Sequence, residues 1–294
     1  MSFTVKAISS ANSDSTATPN DFVLQEWRDS ATYWEKHAPT IRTMFAPLTQ
    51  ALIDEAGIRN GAHVLDVAGG PGEPSLTIAE VVGPSGSVMC TDVVPAMVEA
   101  AEQEAKRRGL TNIQFRQTSA DSLPFGDNTF DAAVCRLGVM FFPDPLAALS
   151  EMLRVTRPKG KISLAVWGSR DLNPFSYAVT DIVSRHIEVQ PEDPNAPGAF
   201  RFAEPGSLAK VLTEAGALDV KERLLRFHIE APITPREFWE MRSQTSGTLR
   251  EKLEKLSSQE IVQIAREVDE GLSEFFPGNE MKFPAQMLVI TGTK

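Results

Sequence analysis

Cysteine is nearly absent from this sequence: only Cys90 and Cys135 occur in 294 residues, each inside an apolar run. That excludes a disulfide scaffold, which a chain long enough to bury a sizeable core does not need. It also excludes structural zinc, because neither thiol has metal-ligand spacing. A basic surface is missing too. Lys and Arg number 29 against 39 Asp and Glu, a formal net charge of -10, whereas gripping a phosphate backbone takes concentrated positive charge. No nucleic-acid partner is expected. No apolar run approaches the roughly 20 residues that span a bilayer, and the amino terminus lacks a basic region followed by a hydrophobic signal core. A cytoplasmic protein without membrane insertion is the expectation, and no internal repeat is present. Oligomeric state is not written in the sequence.

Residues 1–20 are read as a flexible leader, since SSANSDSTATPN over 9–20 is too small and polar to offset its own ordering entropy. A helical region over 21–56 follows, holding Trp27, Tyr33, Trp34 and Phe45. From 57 to 170 short apolar runs alternate with helical periodicity, the pattern of a parallel sheet flanked by helices. Strands are predicted at 63–68, 87–92, 112–117, 130–136 and 160–167, and helices at 74–82, 95–108 and 144–155, with Gly109 and Gly160 placed to end or follow helices. Residues 171–204 read as an insertion: a helix over 174–189 and then the Pro- and Gly-rich QPEDPNAPGAF. The core resumes at 205–234 with a helix at 205–216 and a strand at 218–230. A helical lid over 235–280, with helices at 235–247 and 257–276, precedes a last strand containing AQMLVITG, within 281–294.

The chemistry concentrates at three connections. In VLDVAGGPGEPSL an apolar strand ending at Asp66 runs into Ala68, Gly69, Gly70 and Gly72. Glycine removes the Cβ so that a ligand approaches the backbone, and the helix that follows points free N–H groups at an anion. Asp66 either contacts the ligand or holds the loop and caps the next helix. The second strand ends at Asp92, where an acidic residue accepts hydrogen bonds from both hydroxyls of a ribose. In the third, Asp121 is placed to accept a hydrogen bond from an adenine amino group, with Ala120 and Leu123 offering an apolar face. All three loops fall at the carboxyl edge of the sheet, where open α/β sheets bind ligands. Arg136, at the end of a buried strand, faces either a ligand carboxylate or the surface.

Together Asp66 to Gly72, Asp92, ADSLPF from Ala120 to Phe125, Asp127 to Asp131, and EMLRVTRPKG from Glu151 to Gly160 resemble the class I S-adenosylmethionine-dependent methyltransferases, in particular the ubiquinone/menaquinone-biosynthesis type. The resemblance covers roughly residues 60–168. It implies a Rossmann-like, doubly wound and mostly parallel α/β sheet with an antiparallel C-terminal strand, plus helical lid insertions. It further implies S-adenosylmethionine as cofactor and S-adenosylhomocysteine as product. The ribose falls to Asp92 with Val93 and Met97 beside it, the adenine to Ala120 and Asp121, and the methionine moiety to the glycine loop and Arg136-Leu137-Gly138 under an aromatic such as Trp34. Two positions depart from the pattern: Ala68 replaces a loop glycine, and Pro71 stands where threonine is common and removes one N–H. The match fades after Trp167, so no quinone acceptor is assigned.

Methyl transfer needs alignment of a desolvated nucleophile more than it needs a base. Candidate bases are His186 first, then His37 and Tyr33, with His228, Tyr177 and Glu35 behind them; His63 opens a strand and reads as structural. Phe175, Phe238, Trp239, Met241, Phe275 and Phe276 predict an apolar acceptor pocket, hence a small, moderately hydrophobic metabolite, with the O-, N- or C-acceptor unresolved. Two thiols are too few for a soft-metal acceptor, and no metal site is expected. The charged run from Glu99 to Arg108 reads as a solvated face. Asn173-Pro174-Phe175 follows the fifth strand and lacks the second proline of nucleic-acid amino-methylating enzymes, so it carries no such implication. Two rivals stand beside this reading. A nicotinamide-dependent oxidoreductase would show G-x-G-x-x-G, which the loop does not match. A non-catalytic cofactor-binding regulator would keep the pocket without turnover.

Overall fold

A computed structural model describes residues 19–187 and 196–294 of the chain. The leader through residue 18 and the start of the Pro-rich insertion loop lie outside these. Among the described residues seven strands form one sheet, in the order β3-β2-β1-β4-β5-β7-β6: β1 (His63–Val67), β2 (Ser87–Asp92), β3 (Ile113–Gln117), β4 (Phe130–Arg136), β5 (Thr156–Trp167), β6 (Leu218–Ala231) and β7 (Met281–Thr293). The first five pair in parallel, and β7 runs antiparallel to both β5 and β6. The chain order reverses between β1 and β4, leaving a crevice at their carboxyl ends.

Strands buried on both faces need continuous apolar runs, and FDAAVCR in β4 supplies one. On one face Val64, Val88 and Ala132 pack with residues of three helices: α2 (Ala46–Ala56), α3 (Ser75–Val82) and α4 (Pro95–Arg107). On the other, Leu65 and Ala133 join the cluster that holds Leu149 and Met152 of α5 (Pro145–Val155) and Leu208 of α7 (Ser207–Glu214). Above the carboxyl edge lie α1 (Pro19–Met44), α6 (Pro174–Ser184), α8 (Pro235–Thr245), α9 (Gly247–Leu253) and α10 (Ser258–Gly271). Their mutual contacts make one helical cover.

Several predicted boundaries move, each for a local reason. Gly160 does not follow a helix: α5 ends at Val155 and β5 starts at Thr156, with a register shift against β4 between Phe130 and Ala132. Gly109 does end α4, in the left-handed region at φ +68°. The 235–247 helix divides, because Ser246 leaves helical geometry and its side chain caps α9. Helices α8 and α10 each begin with a reciprocal capping box, Thr234 with Glu237 and Ser257 with Glu260. The long 257–276 helix stops at Gly271, and α6 stops at Ser184. Pro19 and Asn20, assigned to the leader, open α1.

Candidate functional site

The loop after β1 is held from both sides. Gly69 N donates to Thr91 O at 2.9 Å, and Gly70 N donates to Asp92 Oδ2 at 3.0 Å. The other oxygen of Asp92 accepts from Val94 N at 2.9 Å. Burial raises the Asp92 pKa, opposed by those backbone N–H groups. A carboxylate has about four lone-pair sites, and with Val93 N–H also among its donors Asp92 still keeps acceptor capacity to spare. Gly70 sits at φ +55°, and a Cβ there would meet nothing within 4 Å. The backbone is open on that side.

Ala68 takes φ +58°, a left-handed conformation that normally favours glycine. Its methyl has room because position 138 is glycine: a Cβ on Gly138 would lie 2.7 Å from Ala68 Cβ. Leu137 is also left-handed, at φ +59°. The ends of β1 and β4 therefore touch through two small residues.

Asp66 has no exposed surface. Oδ2 accepts from Ser75 Oγ at 2.6 Å, while Oδ1 is buried without a partner. Burial pushes the Asp66 pKa up to about 7. Of its two sequence-level roles, this geometry is the one that holds the loop to α3 from beneath. Arg136 turns toward α2: Nη1 donates to Thr49 Oγ1 at 2.8 Å, Nη2 to Glu73 O at 3.0 Å, and the guanidinium faces the Phe45 ring. Glu73 in turn receives Arg108 at 2.9 Å and Arg42 at 3.3 Å. Arg108, expected on a solvated face, thus ties α4 to the end of the glycine loop, and its side chain is only 15% exposed.

The β3–β4 connection lies beside Asp92, since Thr118 N donates to Asp92 O at 3.0 Å. Ala120 is half-buried and Asp121 exposed. What shapes this turn is α5. Leu123 N donates to Glu151 Oε2 at 2.9 Å, and Arg154 donates to Leu123 O, Phe125 O and Asp127 Oδ1 at 2.9, 2.8 and 2.8 Å. The Arg154 hydrogen bond holds the Glu151 carboxyl below its usual range. In the sequence Glu151, Arg154 and Asp127 stand only as members of motifs, with nothing to mark this contact.

The aromatic cover is α1. Trp27 meets Phe141 edge-on at 5.1 Å and Trp34 at 5.7 Å. Both tryptophans pack on the cluster of Ala31, Val94 and Met97, so α1 roofs the end of β2. Trp34 Nε1 donates to Thr245 O at 3.1 Å.

The candidate bases do not converge on the loop. His37 Nε2 is paired with Gln244 Oε1 at 2.8 Å, His186 Nε2 with Glu267 Oε2 at 2.9 Å, and Tyr33 lies under Arg250. Each joins pieces of the helical cover. Asn173 is fully buried and bonded to the Gln286 backbone, a staple between α6 and β7. Of the aromatics expected around the acceptor, Phe175 meets Phe238 and Phe238 meets Phe276, all three buried. Phe175 contacts Phe45, Trp167, Phe238 and Phe283 at 5.6 to 6.2 Å. Arg242, which no sequence motif singled out, lies over Phe175 at 5.2 Å. No His, Cys, Asp and Glu cluster among the described residues could hold a metal ion, and no helix among them is long and apolar enough to cross a membrane.

Residues 48–183 match the model of the ubiE/COQ5 methyltransferase family. An uncharacterized protein of Mycobacterium tuberculosis is 40% identical over 124 residues, covering 42% of this chain and 44% of that one. A ubiquinone/menaquinone biosynthesis C-methyltransferase UbiE of Hahella chejuensis is 38% identical over 133 residues, 45% of this chain and 53% of that protein. The matches span about half the length of these relatives. In fold, the chain is similar to the YcgJ protein of Bacillus subtilis, with a TM-score of 0.56 at 21% identity, over 85% of this chain and 98% of that one. It is likewise similar in fold to an S-adenosylmethionine-dependent methyltransferase of Aquifex aeolicus, with a TM-score of 0.51 at 22% identity, over 67% of this chain and 92% of that one.

Proposed function

We propose that this chain transfers the methyl group of S-adenosylmethionine to a small, moderately hydrophobic metabolite, in the cytoplasm. One observation carries the reading: Gly70 and Asp92 are joined by a 3.0 Å hydrogen bond, which sets an open, Cβ-free backbone beside a carboxylate with acceptor capacity to spare. The residues suit the cofactor. Ribose hydroxyls would donate to Asp92, adenine would lie near Val93 and Ala120 with Asp121 accepting from its amino group, and the methionyl chain would pass over Gly70 toward Leu137.

Bound there, the cofactor supplies a methyl carried on a sulfonium. The chain's own residues then hold the acceptor in line with that methyl and keep water away, the two effects that matter most for such a displacement. Trp27 and Trp34 on α1 close one side, and Phe175 and Trp167 form an apolar wall on the other. A base role for His37 or His186 requires release from Gln244 or Glu267. Sequence similarity to quinone C-methyltransferases stops short of the acceptor side, because the family match ends at residue 183, before α8, α9 and α10. No quinone follows from it.

Calorimetry of the full chain with S-adenosylhomocysteine is the direct test, with one molecule bound per chain expected; no binding ends this assignment. A metabolite panel with labelled S-adenosylmethionine then tests the acceptor. Transfer confined to strongly charged, hydrophilic compounds would exclude the apolar pocket, and tight cofactor binding without any transfer would favour the regulatory alternative.

A further inference from the structure

Arg242 lies against the aromatic cluster of Phe175 and Trp167. Arg242, beside the buried Met241 on α8, donates from Nη2 to Ser176 O at 2.9 Å. Its Nε is buried and has no hydrogen-bond partner. Arg42, Arg108, Arg154, Arg157, Arg170 and Arg223 each pair with a carboxylate, and Arg136, Arg201 and Arg250, which do not, donate to Thr49 and Glu73 O, to Phe142 O, and to Ser30. Among the described residues only Arg242 has a buried side-chain nitrogen left unbonded. No carboxylate among the described residues pairs with Arg242, and burial alone lowers its pKa, to about 10. Arg242 as a whole is half-buried, but a cation whose buried Nε has neither a bond nor a counter-charge is costly, and a planar fork with a free Nε edge is shaped to receive an oxyanion side-on.

Its position adds the second argument. The Phe175 ring beneath Arg242 lies 6.2 Å from Trp167, the last residue of β5, and 6.0 Å from Phe45. Phe45 carries Arg136, from the end of β4, over its own ring. Arg242 is therefore at the carboxyl edge of the sheet, across the aromatic cluster from the end of β4. An anion held there would stand with its apolar body against Phe175 and Trp167.

We propose that the methyl acceptor is a hydrophobic acid whose carboxylate pairs with Arg242. This rests on the methyltransferase reading above and names the substrate class. The test uses the full chain saturated with S-adenosylhomocysteine and three carboxylates, benzoate, 4-hydroxycinnamate and decanoate, each beside its primary amide, with phenyl phosphate as a further probe. A charge-assisted hydrogen bond predicts that at least one acid binds roughly 10- to 100-fold tighter than its amide. Arg242→Met should erase that preference while leaving S-adenosylhomocysteine affinity unchanged and Tm no lower, because it removes an uncompensated buried charge; Arg242→Lys should keep part of it.

Absence of acid preference in every pair overturns the proposal, as does a preference that survives Arg242→Met. A lower Tm with equal losses for acids and amides would make Arg242 a strut between α6 and α8 and also overturn it. Tighter binding of phenyl phosphate than of any carboxylate would refute the carboxylate assignment. Failure of the wild-type chain to bind S-adenosylhomocysteine is a different result, and it removes the methyltransferase reading itself.

Discussion

A Cβ on Gly69 would lie 2.7 Å from Cys90 Sγ and 2.9 Å from Asp66 Oδ2, whereas on Gly70 it would meet nothing within 4 Å. The two substitutions should therefore separate folding from binding. Gly69→Ala overpacks the floor of the loop and should destabilise by about 1–3 kcal/mol. Gly70→Ala meets only the left-handed backbone penalty of about 1–2 kcal/mol, but its methyl stands where the cofactor would pass. Calorimetry should show S-adenosylhomocysteine affinity reduced by about tenfold or more, a loss of about 1.4 kcal/mol, in a protein that still unfolds cooperatively. Equal affinity in Gly70→Ala and wild type would contradict the placement of the ligand over that residue. The glycine spacing is legible in the sequence; which glycine faces the core and which faces the ligand is not, since that depends on Cys90 arriving from β2. Arg242 left no sequence signal at all, because an arginine beside a methionine on an amphipathic helix looks like any surface cation.

Between α5 and the β3–β4 connection, two side chains one helical turn apart do the positioning. Arg154 reaches three acceptors on the connection and Glu151 takes the Leu123 N–H. Arg154→Ala leaves those carbonyls without their donor. It should cost about 1–3 kcal/mol in urea unfolding and weaken S-adenosylhomocysteine binding, although Arg154 lies on α5, outside the proposed contacts. Unchanged binding would mean that Ala120 and Asp121 keep their places without the clamp. The motif EMLRVTRPKG was readable as a family resemblance, but its physical task appeared only once α5 and the loop were seen together. The cover shows the same limit. Helical periodicity over 235–247 predicted one helix, and Ser246 made two, because a side-chain cap on the Leu249 N–H offsets the break.

At the scale of the whole molecule, stability should carry the imprint of two buried acids. Burial lifts Asp66 from 3.8 to about 7, and Asp92 is raised as well. Between about pH 4 and 7 the folded chain then keeps protons that the unfolded chain has released. Stability contributed by protonated Asp66 is present at the acid end, falls as pH rises through that window, and levels off above it. Carboxyls held low, such as Glu151, act in the opposite sense but at more acidic pH. Tm should therefore fall between pH 5 and 7.5, and Asp66→Asn should flatten that fall; a wild-type Tm that climbs over this range would refute it. The alternation of apolar runs and helical periodicity was enough to determine a mostly parallel α/β sheet and Asp92 beside a glycine loop at its carboxyl edge, because strand burial and backbone access are local demands on residue type. Which charges find partners was decided only by the tertiary structure. His37 and His186 went to the helical cover, Arg136 to α2, Arg108 to Glu73, and Arg242 to an aromatic wall with no carboxylate among the described residues. Pairing of this kind is set by elements distant in the chain, and no spacing within one segment encodes it.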